Sequence, residues 1–209
     1  MGRFKVSVAL AGIACSFVLV SSAAAASIPN GNFEKGDLTG WTTTNSPDSV
    51  WEVYGPGSIT FPSFPYAPSA KGQFSLTLIT YGPSWGVISR VIKVPTKARK
   101  LQMSLWWDNQ SSGGWKPIDD WTSLSAERQD LGIDLIPAGA SAASPKTVKT
   151  ILDPRSTSPA RSGNMSPAAW VPVSVDVRQL RGKKVKLRMV QISNVSYLYL
   201  GVDDIRFSG

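Results

Sequence analysis

The sequence predicts an all-β fold, an antiparallel β-sandwich of the jelly-roll kind. Segments in which apolar residues recur at every second position run through the chain, and helical periodicity is nearly absent. Short apolar runs are separated by Pro and Gly punctuation, as in GPG at 55–57, YGPS at 81–84 and LRG at 180–182. No internal repeat is present. Many short strands without helices need two packed sheets to bury two apolar faces, which makes a sandwich the natural architecture.

The strands follow in order. VWEVY (Val50–Tyr54), QFSLTLITY and GVISRVIKV are the first candidates. LQMSLWWD places Leu101, Met103, Leu105 and Trp107 on one face, with Gln102, Ser104 and Trp106 on the other. LGIDLI and TVKTIL come next, then WVPVSVDV, whose Val171, Val173, Val175 and Val177 share a face. VKLRMVQI and YLYLGVDDIRF complete the set. Three connections are long and rich in Pro, Ser and Gly: Gly55–Ala70, Asn109–Asp130 and Asp153–Ala169. Connections of that length inside a compact domain are often functional.

The amino terminus has a different character. Arg3 and Lys5 precede an uncharged stretch from Val6 through Val20, followed by SSAAAAS. A basic start, an apolar middle and small residues at the end form a secretory leader. Cleavage after Ala26 leaves residues 27–209 as a single domain. An uncleaved membrane anchor is the competing reading, and the alanine-rich end favours cleavage. Cys15, the only cysteine, lies inside the leader, and the chain has no histidine. The mature protein therefore lacks disulfides, thiolate chemistry, imidazole acid–base chemistry and ordinary zinc sites. Its 183 residues are enough to build a core without such staples.

The chain carries 22 basic and 14 acidic side chains, for a net charge of +8. Losing Arg3 and Lys5 with the leader lowers this to +6. Much of the excess lies in RVIKVPTKARK (Arg90–Lys100) and RQLRGKKVKLR (Arg178–Arg188). Such runs attract polyanions, or else form a solvated sheet face with charged turns. The alternation of the basic residues with Val185, Leu187 and Met189 fits the second.

The two ends of the mature chain carry a resemblance. NGNFEKGDLTGW (Asn30–Trp41) and LGVDDIRF (Leu200–Phe207) resemble the terminal signatures of a secreted bacterial β-sandwich family. That family has the galactose-binding-like jelly roll found in many carbohydrate-binding modules. QFSLTL, LWWDN, LGIDLI and VSVDVRQLRGKKVKLRM fit the middle of the same pattern, so the resemblance spans nearly the whole mature chain. It implies a structural calcium joining the first and last strands. The matching side chains are Glu34 and one of Asp203 and Asp204. Calcium takes six to eight oxygens from carboxylates and carbonyls. With Ile205 and Phe207 facing the core, alternation turns Asp203 inward unless a bulge intervenes. The alternative is that these carboxylates accept hydrogen bonds from turn amides or pair with Arg206. Resembling proteins often end in a sorting tail. This sequence stops two residues after Phe207, so a soluble exported protein is expected.

The resemblance implies a glycan or cell-surface polysaccharide as partner, acidic polysaccharide included. Sugar rings stack their C–H faces on aromatic planes. Trp106, on the polar strand face, and the loop residues Trp85, Trp115 and Trp121 are the candidate platforms. Asp108, Asn109 and Asp134 are candidate polar partners, and Arg188 and Lys186, outward on their strand, would favour acidic sugars. Trp41, Trp51, Trp107 and Trp170 are expected to pack, and any loop Trp could instead pin its loop. A polysaccharide-active enzyme is the least favoured reading. Beside the three glutamates, Glu34, Glu52 and Glu127, a pair could come from Asp119, Asp120, Asp130 and Asp134, but no recognisable glycosidase arrangement of carboxylates is present. No nucleic-acid motif is present. The rival from another class is a structural or adhesive extracellular protein that binds a protein partner or self-associates.

Overall fold

A computed structural model describes residues 26–56, 69–80, 83–109, 129–152, 170–194 and 198–209. Residues 1–25, where the sequence predicts a leader, most of the three long connections, and Trp115 and Trp121 within the second of them lie outside the described residues.

Two antiparallel sheets face one another. The first contains β3 (Ser49–Tyr54), β4 (Ser75–Thr80), β11 (Leu198–Ser208), β6 (Lys100–Asn109) and β9 (Val171–Asp176), in that order. A short β1 (Ala26–Ser27) pairs with the far end of β11. The second sheet runs β2 (Thr42–Asn45), β5 (Ser84–Lys93), β10 (Lys184–Ser193), β7 (Gln129–Pro137) and β8 (Lys149–Leu152). One 3-10 turn, Arg178–Leu180, leads into β10. All nine strands read from the alternation are present. The two missed, β1 and β2, are a pair of residues and a Thr-rich edge with no apolar alternation.

The core lies between the sheets. Trp51, Leu78, Leu101, Met103, Leu105, Leu200 and Val202 from the first sheet meet Ile88, Ile133, Leu135, Leu187 and Met189 from the second. Val173 and Val175 pack against this core, Val177 is buried, and Val171 at the sandwich rim is exposed.

The first and last segments of the domain are joined. Ser27 pairs with Arg206, and the Ile205 amide donates to the Gly31 carbonyl at 2.8 Å. A Cβ at position 31 would stand 2.6 Å from the Ile205 carbonyl oxygen, so this approach requires glycine. Trp41 then folds back: its indole donates to the Asn30 carbonyl at 3.0 Å, and its ring stacks on Phe33 with centroids 5.6 Å apart.

β11 contains a bulge. Asp203 lies opposite Ser104, but Arg206 lies opposite Gln102, leaving Asp204 and Ile205 together across from Met103. Asp204 takes a positive φ of 52°. The bulge lets Val202, Ile205 and Phe207 all enter the core despite their unequal spacing. Asp203 is therefore on the outer face with Ser104, whereas uninterrupted alternation would have turned it inward.

Candidate functional site

Antiparallel pairing gathers one set of strand ends at one end of the sandwich. Ser49 lies opposite Thr80, Ser193 opposite both Ser84 and Gln129, and Leu198 opposite Asn109. The connections 81–83, 110–128 and 194–197 leave from this end. Trp85 sits here, half-buried, with its amide accepted by the Ser46 hydroxyl at 2.9 Å. Asp108 and Asn109 pair with Tyr199 and Leu198 at the same end. Trp115 and Trp121 belong by sequence to the connection that follows Asn109.

The interior of this end is polar. Ser49, Thr80, Ser84 and Gln191 are buried where the rest of the inter-sheet space is filled by Leu, Ile and Met. Gly86 is at its centre, flanked in register by Asn45 on β2 and Gln191 on β10. A Cβ there would meet the Ser49 hydroxyl at 2.7 Å and Trp51 Nε1 at 3.0 Å, both reaching across from the other sheet. Gln191 Nε2 ties the sheets by donating to the Leu198 carbonyl. Five buried polar atoms have no protein hydrogen-bond partner: Asn45 Oδ1, Ser49 Oγ, Trp51 Nε1, Ser84 Oγ and Gln191 Oε1. Each costs about 1–3 kcal/mol if nothing meets it. A cluster of this kind is met by ordered water or by the hydroxyls of a ligand. Its groups are neutral donors and acceptors, suited to hydrogen-bonding hydroxyls, with no carboxylate among them.

Sequence reasoning missed these residues, although a signal existed. In VKLRMVQI, Gln191 has the same parity as Val185, Leu187 and Met189, so a polar side chain occupies a core-facing position.

Other expected ligand residues lie elsewhere. Trp106 does point to the outer face of its sheet, but it is only 1% exposed. It packs with Tyr54, Trp170 and Tyr199, its ring centroid 6.4 Å from that of Tyr199. The expectation of an open platform does not hold there, because neighbouring aromatics cover the face. Arg188 is on the outer face of the second sheet and is 2% exposed, not open to solvent. It forms a two-pronged ion pair with Asp134, at 2.9 and 2.6 Å, and donates to the Ala142 and Ser144 carbonyls at 2.8 and 2.6 Å. Thr147 donates to the same aspartate at 2.7 Å. These contacts brace the β7–β8 connection over the sheet.

Glu34 and Asp203 meet at a third place, on the turn that enters β4. One oxygen of Glu34 accepts the Gln73 and Phe74 amides, both at 2.9 Å. Asp203 accepts the Lys71 amide at 3.0 Å and the Asp204 amide at 2.6 Å. Burial pushes the Asp203 carboxyl up to about 6, and the Glu34 charge adds to this against the opposing turn amides. Asp204 instead forms an ion pair with Arg206. Among the described residues, no three carboxylate, imidazole or thiolate groups converge.

No protein-family model matches the sequence, and no curated protein does either. Solved structures match its fold. TmCBM61, determined in complex with β-1,4-galactotriose, is 11% identical with a TM-score of 0.51 over 86% of this chain and 95% of that one. The K3 cleaved adhesin domain of Lys-gingipain from Porphyromonas gingivalis is 10% identical with a TM-score of 0.52, covering 90% of this chain and 99% of the domain. The K1 adhesin domain of the same protein gives 12% and 0.51, covering 85% and 95%. At these identities the likeness establishes a β-sandwich fold and carries no residue-by-residue correspondence.

Proposed function

We propose that this protein is an exported, non-catalytic glycan-binding module whose ligand enters at the loop end of the sandwich. The reading is carried by the five unpartnered polar atoms around Gly86, at the end from which the Trp-bearing connection leaves; Trp85, next to Gly86 in β5, marks the other face of the same strand end. Hydroxyl-rich rings need such neutral donors and acceptors. The fold likeness to a module solved with a galactotriose supports the same class of ligand. On a glycan array, wild type should bind and Trp85→Ala and Gln191→Leu should each lose binding, with a melting curve confirming that the variants fold. An array without signal would sink the reading.

A second reading has its own support in the equally good likeness to the two adhesin domains. As an adhesive protein the chain would bind a protein partner or itself. An array without signal, together with concentration-dependent oligomers on sizing, would select it.

The proposal includes a structural calcium held by Glu34 and Asp203, with backbone carbonyls completing the shell. The residues fit such an ion. Two carboxylates from opposite ends of the domain meet on one turn, and among the described residues no cationic side chain forms an ion pair with the buried Asp203. A bound calcium would neutralise both and tie the first segment to the last strand. Asp204 is left out of this set by its pairing with Arg206.

A further inference from the structure

The basic runs Arg90–Lys100 and Arg178–Arg188 are separated by 77 residues, yet the fold docks them backbone to backbone. The Val94 amide donates to the Lys183 carbonyl at 2.9 Å, and the Gly182 amide donates back to the Val94 carbonyl at 2.9 Å. Arg181 donates through Nε to the Ala98 carbonyl at 2.6 Å, and the Val177 amide to the Arg99 carbonyl at 2.9 Å. The result is a basic end, opposite the loop end. Lys93, Lys97, Arg99, Lys183 and Lys184 are all exposed there, and none forms an ion pair with a described carboxylate. Among the described residues Asp176 is nearby, and it is taken by Arg178.

The register sharpens this. Lys93 lies directly opposite Lys184 across the β5–β10 ladder. Like charges facing one another across strands are destabilising on their own. A solvated sheet face has no need of such a pair, whereas an anion bound above it would relieve the repulsion.

A cleft adjoins the patch. β2 stops pairing at Ser89, leaving the edge of β5 from Arg90 to Lys93 without a neighbouring strand. Along that edge a cleft of about 290 Å³ opens, walled by Ile28, Pro29, Ile92 and Phe207 and lined by Arg90 and Lys93. That is the lower end of the size range for ligand pockets, enough for a single ring. Arg90 is held under the Trp41 ring at 5.8 Å, with only a 3.4 Å bond to the Thr39 carbonyl. Burial lowers its pKa, and no described carboxylate compensates the charge. A planar guanidinium of this kind matches a carboxylate.

We infer that the basic end is a second glycan site, one that binds a carboxylate-bearing polysaccharide, with a uronate ring in the Arg90–Lys93 cleft and the chain crossing the exposed lysines. The inference rests on the glycan reading above and adds a ligand class and a separate surface to it. Apolar cleft walls beside two cations suit a charged sugar ring better than a phosphate backbone.

The test uses polygalacturonate as the anionic probe and β-1,4-galactan as the neutral one, measured by titration calorimetry at low and physiological ionic strength. The variant is Lys93→Gln/Lys183→Gln/Lys184→Gln, in which every change is on the exposed surface. Wild type should bind polygalacturonate, more weakly at the higher salt. The triple variant should lose about tenfold or more in that affinity, and Trp85→Ala should leave it intact. Polygalacturonate binding that survives the triple change, or that Trp85→Ala abolishes, would overturn the inference. So would equal, equally variant-sensitive binding of a DNA duplex or of anionic vesicles, which would mark a general polyanion patch. Galactan binding without polygalacturonate binding would overturn this inference alone. Polygalacturonate binding by an otherwise array-silent protein would uphold it and sink the loop-end site.

Discussion

Asp203 shows how far one residue's surroundings can move its chemistry. By pleat it belongs to the outer face of its sheet, and yet it is completely buried beneath the 71–74 turn. Its folded pKa of about 6, against an ordinary 3.8, means that the native state holds the proton more tightly than the unfolded chain does. The sign follows from linkage: the contribution to stability is fully present below about 3.8 and is lost as pH rises through about 6. In chelator, the melting temperature should therefore carry a component that falls between those values and levels off above. Adding calcium at pH 7 should raise the melting temperature, and Glu34→Ala and Asp203→Asn should each abolish that rise. A melting temperature indifferent to chelator and calcium would leave the two carboxylates as hydrogen-bonded braces of the turn. The sequence offered Glu34 a calcium through resemblance or turn amides as hydrogen-bond donors, and the structure shows the amides. The turn that it meets, some 40 residues later, is a product of the fold.

At the scale of elements, the Asp134–Arg188 pair fastens the connection between β7 and β8 to the outer face of the second sheet. The sequence shows an Asp and an Arg at outward positions on separate strands, and outward normally means exposed. What it does not show is the 138–148 segment folding back so that two of its carbonyls and Thr147 surround the pair. Asp134→Ala should cost about 3–5 kcal/mol, because it strands a buried guanidinium. Amide exchange in 138–148 should accelerate in the same variant. Asp134→Leu/Arg188→Met should recover much of the loss, since the pair's desolvation cost disappears with its attraction. A loss under 1 kcal/mol in urea denaturation of Asp134→Ala would mean that the pair is solvated in solution. Trp106 makes the same point on the other sheet. Its side of the strand was readable from alternation, but its burial depends on Tyr54, Trp170 and Tyr199 arriving from three other segments.

The whole molecule is closed by its ends. β1, the Gly31–Ile205 contact and buried Ile28 attach residues 26–31 to the last strand. A chain beginning at Asn32 should lose about 2–3 kcal/mol, chiefly the burial of Ile28, which corresponds to a melting temperature lower by roughly 4–12 °C. An unchanged melting temperature would show that the sandwich does not rely on this closure. The closure also builds one of the two proposed binding surfaces, since Ile28, Pro29 and Phe207 wall the cleft at the basic end.

The sequence by itself determined the fold class, nine of the eleven described strands and the faces they bury. Those follow from period-2 alternation, which is local: each residue's side of the strand depends on its immediate neighbours. That the chain has no histidine and a single cysteine is equally local, a matter of composition alone. Only the tertiary structure decided which outward residues stay open. Trp106, Arg188 and Asp203 all point away from the core, and segments distant in sequence cover all three. It also decided that two basic runs form one surface and that polar groups from four strands meet around Gly86. Exposure and convergence depend on long-range pairing, and alternation along a single strand carries no information about what lies across from it.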